Sequence, residues 1–150
     1  MMSNEPLRIL LADDDEADRL LFKEAISELK IKTVVQSVND GIDLMDALAV
    51  ENQPLPQLLF LDLNMPRKDG MECLKEIRAN EKYNDISIAI FSTSGTDVDM
   101  EETFLNGANV YIHKPNDFGS LKKLLERAVQ VTYIYQEPPF SKENFLMKVE

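Results

Sequence analysis

The sequence predicts an α/β fold: a parallel sheet with helices on both faces. Three observations carry this. Five short apolar runs recur along the chain, each ended by polar residues. Between them lie stretches with apolar residues at helical spacing. The length of 150 residues and the 44% hydrophobic content suit one domain with a single core.

The elements follow in order. Arg8-Ile9-Leu10-Leu11-Ala12 stops at Asp13-Asp14-Asp15 and reads as a buried strand. From Glu16 to Leu29, the residues Ala17, Leu20, Leu21, Ala25, Ile26 and Leu29 fall at helical spacing. Thr33 to Val38 is rich in β-branched residues and reads as the second strand. Asp40-Gly41 marks a turn, and Ile42, Leu44, Met45, Leu48 and Ala49 follow on a helix that Pro54 and Pro56 end. Leu58 to Leu61 is the third strand, stopped by Asp62. A loop from Asn64 to Gly70 leads to a helix with Met71, Leu74 and Ile77. Ile86 to Phe91 is the fourth strand and runs into Ser92-Thr93-Ser94-Gly95. Asp97 to Leu105 is a short helix ended by Asn106-Gly107. Val110 to Ile112 is the fifth strand, closed by Lys114-Pro115. Leu121 to about Ile134 forms the last helix. Right-handed crossovers are expected.

The charge balance excludes some functions. Acids outnumber bases 27 to 16, for a net charge of -11. A nucleic-acid binder needs the opposite excess, so no nucleic-acid partner is expected. Most of the acidity serves solubility. The single cysteine, Cys73, precludes an internal disulfide and fits a reducing cytoplasm. The apolar run near the N-terminus is too short for a signal peptide or a span, so no membrane partner is expected. No glycine-rich phosphate loop occurs, which sets aside a nucleotide-binding enzyme.

In open parallel sheets, ligands sit beyond the carboxyl ends of the strands. Here those ends hold Asp13-Asp14-Asp15, Asp62, Ser92-Thr93 and Lys114. Carboxylates from two neighbouring strands can hold a divalent cation, and magnesium favours few carboxylates plus water and phosphate oxygens. A hydroxyl and an ammonium suit an incoming phosphoryl group. Taken singly, each residue has a plainer reading. Acids at a helix start cap it and favour its dipole. Lys114 could be a solvated loop residue and Ser92 a turn residue. All four at successive strand ends point to a site.

Four separated segments carry a family resemblance. Ile9-Leu10-Leu11-Ala12-Asp13-Asp14, Leu61-Asp62-Leu63-Asn64-Met65-Pro66 with Asp69-Gly70, Phe91-Ser92-Thr93, and Asn106-Gly107-Ala108 with Tyr111 and Lys114-Pro115 resemble the receiver domains of response regulators. The match runs from residue 8 to about 134. The resemblance implies a flavodoxin-like, doubly wound, five-stranded sheet in the order 2-1-3-4-5. It implies a receiver domain over residues 7–134 and does not account for residues 135–150, whose aromatics Tyr135, Phe140 and Phe145 favour an extension packed on the domain or on a partner.

The resemblance also assigns roles. Asp62 resembles the phosphoacceptor, a carboxylate nucleophile. Asp14 resembles the direct ligand of Mg2+, and Asp13 the one acting through water or by orienting its neighbours. Asp62 and the main-chain carbonyl of Asn64 complete the metal set. Lys114 pairs with Asp62 or with phosphoryl oxygens. Ser92 supplies the hydroxyl that bonds the phosphoryl group, and Tyr111 matches the aromatic switch position. A cis bond before Pro115 is implied. The implied partners are a sensor histidine kinase or phosphotransfer protein and a downstream protein target. Residues 97–134 form the implied output face, which also admits a homodimer. The only chemistry implied is the domain's own phosphorylation and dephosphorylation. Two other readings stand beside this one: an aspartyl-nucleophile phosphatase or phosphotransferase, and an interaction module with a vestigial pocket. Asn64 occupies the place where such a phosphatase commonly puts its general acid, and an amide cannot fill that role.

Overall fold

A run of leucines and isoleucine can be buried on both faces only inside a layered sheet, and β1 (Leu7–Ala12) is buried along nearly its whole length. The computed structural model describes residues 5–131 and 146–147. After β1 come α1 (Glu16–Ser27), β2 (Thr33–Val38), α2 (Gly41–Leu48), β3 (Leu58–Leu61) and α3 (Gly70–Ala79). A short 3-10 helix (Glu81–Tyr83) precedes β4 (Ser87–Ser92), α4 (Asp97–Leu105), β5 (Val110–His113) and α5 (Phe118–Val129). The sheet order is β2-β1-β3-β4-β5, every pairing parallel, as expected. A sixth strand, β6 (Leu146–Met147), extends it by pairing parallel to β5. The rest of the extension, 135–145 and 148–150, lies outside the described residues.

The alternation of side chains along each strand divides the core in two. One face of the sheet joins Phe22, Ala25 and Ile26 of α1 to Leu121, Leu124, Leu125 and Ala128 of α5. Phe22, Phe60 and Phe91 meet edge to face at its centre, with centroids 4.8 to 6.3 Å apart. The other face carries Leu44 and Leu48 of α2, Leu74 and Ile77 of α3, and Tyr111. Met45, Met71 and Met100 pack there as partly buried fillers.

Three expectations need correction. Leu20 and Leu21 lie on the exposed side of α1. The buried stripe is Phe22, Ala25, Ile26 and Leu29, which is the i, i+3, i+4, i+7 pattern read from a different start. The last helix begins at Phe118, three residues before Leu121, because the Asp117 carboxylate accepts the Ser120 N–H and caps it. No cis peptide occurs among the described residues, so the bond before Pro115 is trans. Trans is the lower-energy isomer even before proline.

Candidate phosphorylation site

Backbone pairing places the site. The Asp13 N–H donates to the Val38 carbonyl at 3.1 Å, and the Asp62 N–H to the Ala12 carbonyl at 3.0 Å. The Lys114 N–H donates to the Ser92 carbonyl at 2.8 Å. Asp13, Asp62, Ser92 and Lys114 therefore stand at the ends of four adjacent strands, β1, β3, β4 and β5.

The aspartates divide their duties. Asp15 caps α1 by accepting the Asp18 N–H at 3.0 Å, so it serves the helix. Asp13 is buried, and its Oδ1 accepts the Asp15 N–H at 2.9 Å. Asp14 is exposed at the mouth of the crevice, and Asp62 is buried below it. Asp13, Asp14 and Asp62 each present an oxygen within 4.8 Å of the others.

Lys114 binds this cluster together. Its ammonium lies 2.7 Å from Asp13 Oδ2, 2.9 Å from Asp18 Oδ2 and 3.3 Å from Asp62 Oδ2. The approach to Asp13 Oδ2 is an ion contact without hydrogen-bond geometry, and that buried oxygen has no hydrogen-bond partner. A buried carboxylate oxygen held only by an ammonium, beside two other acids, fits the donor set that a hard divalent cation takes. Lys114 also stands 5.3 Å from the centre of the Phe91 ring.

The electrostatics follow from burial. Desolvation raises the Asp13 carboxyl above its ordinary value, against the pull of Lys114 and the Asp15 N–H. Desolvation likewise pushes Asp62 up to about 6, against the charge of Lys114 and the Asn64 N–H. Burial opposes the charge on Lys114, but Asp13, Asp18 and Asp62 outweigh it and hold the ammonium above its ordinary range.

The flanking residues are tied in. The Asn64 N–H donates to Asp62 Oδ1 at 3.1 Å. The Ser92 hydroxyl oxygen is buried and accepts the Ser94 N–H at 3.1 Å. Tyr111 is fully buried, and its hydroxyl donates to the Ser94 carbonyl at 2.6 Å. The Ser94 hydroxyl itself donates to Asp99. His113, the only histidine, is exposed and bonds the Thr93 carbonyl at 2.8 Å.

Sequence reasoning missed Asp18. A helical acid usually reads as a solvated face. No local signal marks it: Asp14 precedes the cap Asp15 and is not helical, and only Lys114 ties Asp18 to the site.

The family profile described as Response regulator receiver domain matches residues 9–126. The chain belongs to this family. Response regulator Rcp1 of Synechocystis sp. is 34% identical over 128 residues, covering 83% of this receiver and 87% of that protein. A CheY homolog of Campylobacter jejuni is 31% identical over 120 residues, 80% of this chain and 90% of that one. Among solved structures, the receiver resembles the phosphorylated cyanobacterial phytochrome response regulator RcpA. The TM-score is 0.81 at 28% identity, over 91% of this chain and all of that one. It also resembles the Mn(2+)-bound form of Rcp1, with a TM-score of 0.77 at 29% identity over the same shares. Receiver domains are signalling switches of two-component systems and bind Mg2+ or Mn2+ at an acidic pocket. No helix of the described residues is long and apolar enough to cross a membrane.

Proposed function

We propose that this receiver is switched by phosphorylation of Asp62 in a Mg2+-dependent reaction. The convergence of Asp13, Asp14 and Asp62 within 4.8 Å carries the reading. These three carboxylates and the Asn64 carbonyl would hold the ion, and when bound it would neutralise charge on the phosphoryl oxygens.

The chain's own residues do the rest. An Asp62 carboxylate oxygen attacks phosphorus and forms the new O–P bond. The P–N bond to a histidine of the kinase or phosphotransfer protein breaks, and that nitrogen keeps the electron pair. Lys114 already carries its charge beside Asp62 and can follow the phosphoryl oxygens as a compact cation. Ser92 uses its oxygen to accept the Ser94 N–H, which leaves its proton for a phosphoryl oxygen. Movement of Ser92 pulls on Ser94, and Ser94 holds the Tyr111 hydroxyl. The switch is a local charge event passed to packed residues. Its output is a protein contact on the face from residue 97 to 134, a face that also admits a homodimer. The protein acts in the cytoplasm and turns over no substrate beyond its own phosphoryl group. Within the extension, Leu146 and Met147 pair with β5, which supports the domain rather than a partner as what they dock on.

Magnesium with acetyl phosphate should add one phosphoryl mass to the intact protein, and Asp62→Asn should abolish it. Turnover of acetyl phosphate with no adduct would favour the phosphatase reading. No reaction would favour a vestigial module.

A further inference from the structure

The loop between β3 and α3 is anchored to α2 by Arg67, while Lys68 pairs with Glu76 of α3. Arg67 has φ 66°, and the Lys68 N–H donates to the Pro66 carbonyl at 2.7 Å around it. A three-residue turn with positive φ at its centre is rare and strained. A residue other than glycine persists there only where its surroundings over-determine it.

The side chain of Arg67 supplies that determination. Its Nε donates to Asp40 Oδ2 at 2.8 Å, and its Nη2 to Asp40 Oδ1 at 3.1 Å and Asp43 Oδ1 at 3.0 Å. Asp40 Oδ1 also accepts the Asp43 N–H at 2.8 Å and so caps α2. Beside this clamp, Gly41 meets the loop so closely that a Cβ would come 2.1 Å from the Lys68 carbonyl oxygen. The N-terminus of α2 is thus the abutment for the loop that leaves Asp62. Pro66 stiffens the chain between Arg67 and Asn64 by fixing its own φ.

We propose that Arg67 is a positioning residue of the phosphorylation site: clamped to Asp40 and Asp43, it fixes the backbone of Asn64. The Asn64 N–H holds Asp62, and its carbonyl is an expected ligand of the cation, so the proposal rests on the magnesium reading above. A planar, bidentate guanidinium sets both direction and distance, which a lysine ammonium does not. The Arg67 side chain is 54% exposed, so its removal takes little from the core.

The test uses the full chain with Arg67→Gly, Arg67→Lys and Asp40→Asn. Glycine accepts positive φ without strain, and asparagine remains a good helix cap, so all three should fold. Two readouts are needed: calorimetric titration with MgCl2, and hydrogen exchange of the 64–70 amides without metal. Arg67→Gly should weaken magnesium binding about tenfold, the scale of a lost supporting partner. The Asn64 amide should exchange faster in the same variant. Asp40→Asn should match it, and the double variant should add little, because one contact is removed twice. Arg67→Lys should fall between and carries the test if the glycine variant does not fold. Equal magnesium affinity in wild type and Arg67→Gly would overturn the proposal even with faster exchange. Wild-type protein that binds no magnesium would overturn the site reading, and the proposal with it.

Discussion

Gly70 stands so close to Asp62 that a Cβ on it would lie 2.2 Å from the Asp62 carbonyl oxygen. The first residue of α3 therefore presses on the backbone of Asp62, the proposed phosphoacceptor. Its N–H also donates to the Leu63 carbonyl at 3.0 Å. The helix start is fixed independently by Asp69 and Glu72, whose side chains and backbone N–H groups form a reciprocal capping box. Neither side can give without moving Asp62. Gly70→Ala should cost about 1–3 kcal/mol by chemical denaturation, the range of a forced backbone shift in a packed site. It should also lower the yield of phosphorylated protein from acetyl phosphate. An unchanged denaturation midpoint would show that α3 can slide without disturbing the strand.

Lys114 compensates Asp13 and Asp62, both buried. Removing the one cation of this cluster leaves its carboxylates without a partner, which costs about 3–5 kcal/mol when burial is complete. Asp18, the third partner, is more open to water, so Lys114→Met should fall near the lower figure at pH 7. Acid should reverse part of the loss, because protonated Asp13 and Asp62 need no cation. Denaturation curves at pH 5 and pH 7 test this, and an equal penalty at both would count against charge as the cause.

Much of this was legible in the sequence because an acid cannot end an apolar strand without a reason. Asp62 after Leu58–Leu61 marked both the end of β3 and the site. Other features depend on contacts that no local pattern reveals. Leu20, Leu21 and Phe22 are all apolar, and only the position of α5 decides that Phe22 turns inward. Arg67 meets Asp40 across 27 residues of chain. Asp18 gains its role only once Lys114, 96 residues away, arrives beside α1. β6 is two residues long, too short for alternation to register.

Magnesium should stabilise the receiver, and the effect should depend on pH. Burial raises Asp62 to about 6 in the folded chain, above its ordinary 3.8. Between those values the folded state keeps a proton that the unfolded state has released. Its contribution to stability is therefore present at low pH and falls as pH rises through this window. At pH 7 the ionised site is a liability that a cation relieves. Saturating magnesium at 100 times its dissociation constant adds about 2.7 kcal/mol. The rise in melting temperature should be clear at pH 7, smaller at pH 5, and largely absent in Asp62→Asn. The variant should also be more stable than wild type without metal at pH 7. Equal shifts at both pH values would place the ion elsewhere.

Cys73 sits on the first turns of α3, fully buried, with its Sγ donating to the Gly41 carbonyl at 3.6 Å. Burial pushes its thiol up to about 12, against the charge of nearby Lys68. At pH 8 the reactive thiolate is then about one part in ten thousand, far below a free cysteine. Iodoacetamide should leave the native protein unmodified while labelling it quickly in denaturant. The native rate should follow opening of the contact between α2 and α3, the same contact that Arg67 clamps from the loop side. Intact mass over time gives both rates. Arg67→Gly should speed the native rate without changing the denatured one. Rapid labelling of the wild-type protein would mean that α2 leaves Gly41 uncovered far more often than the packing at Lys68 allows.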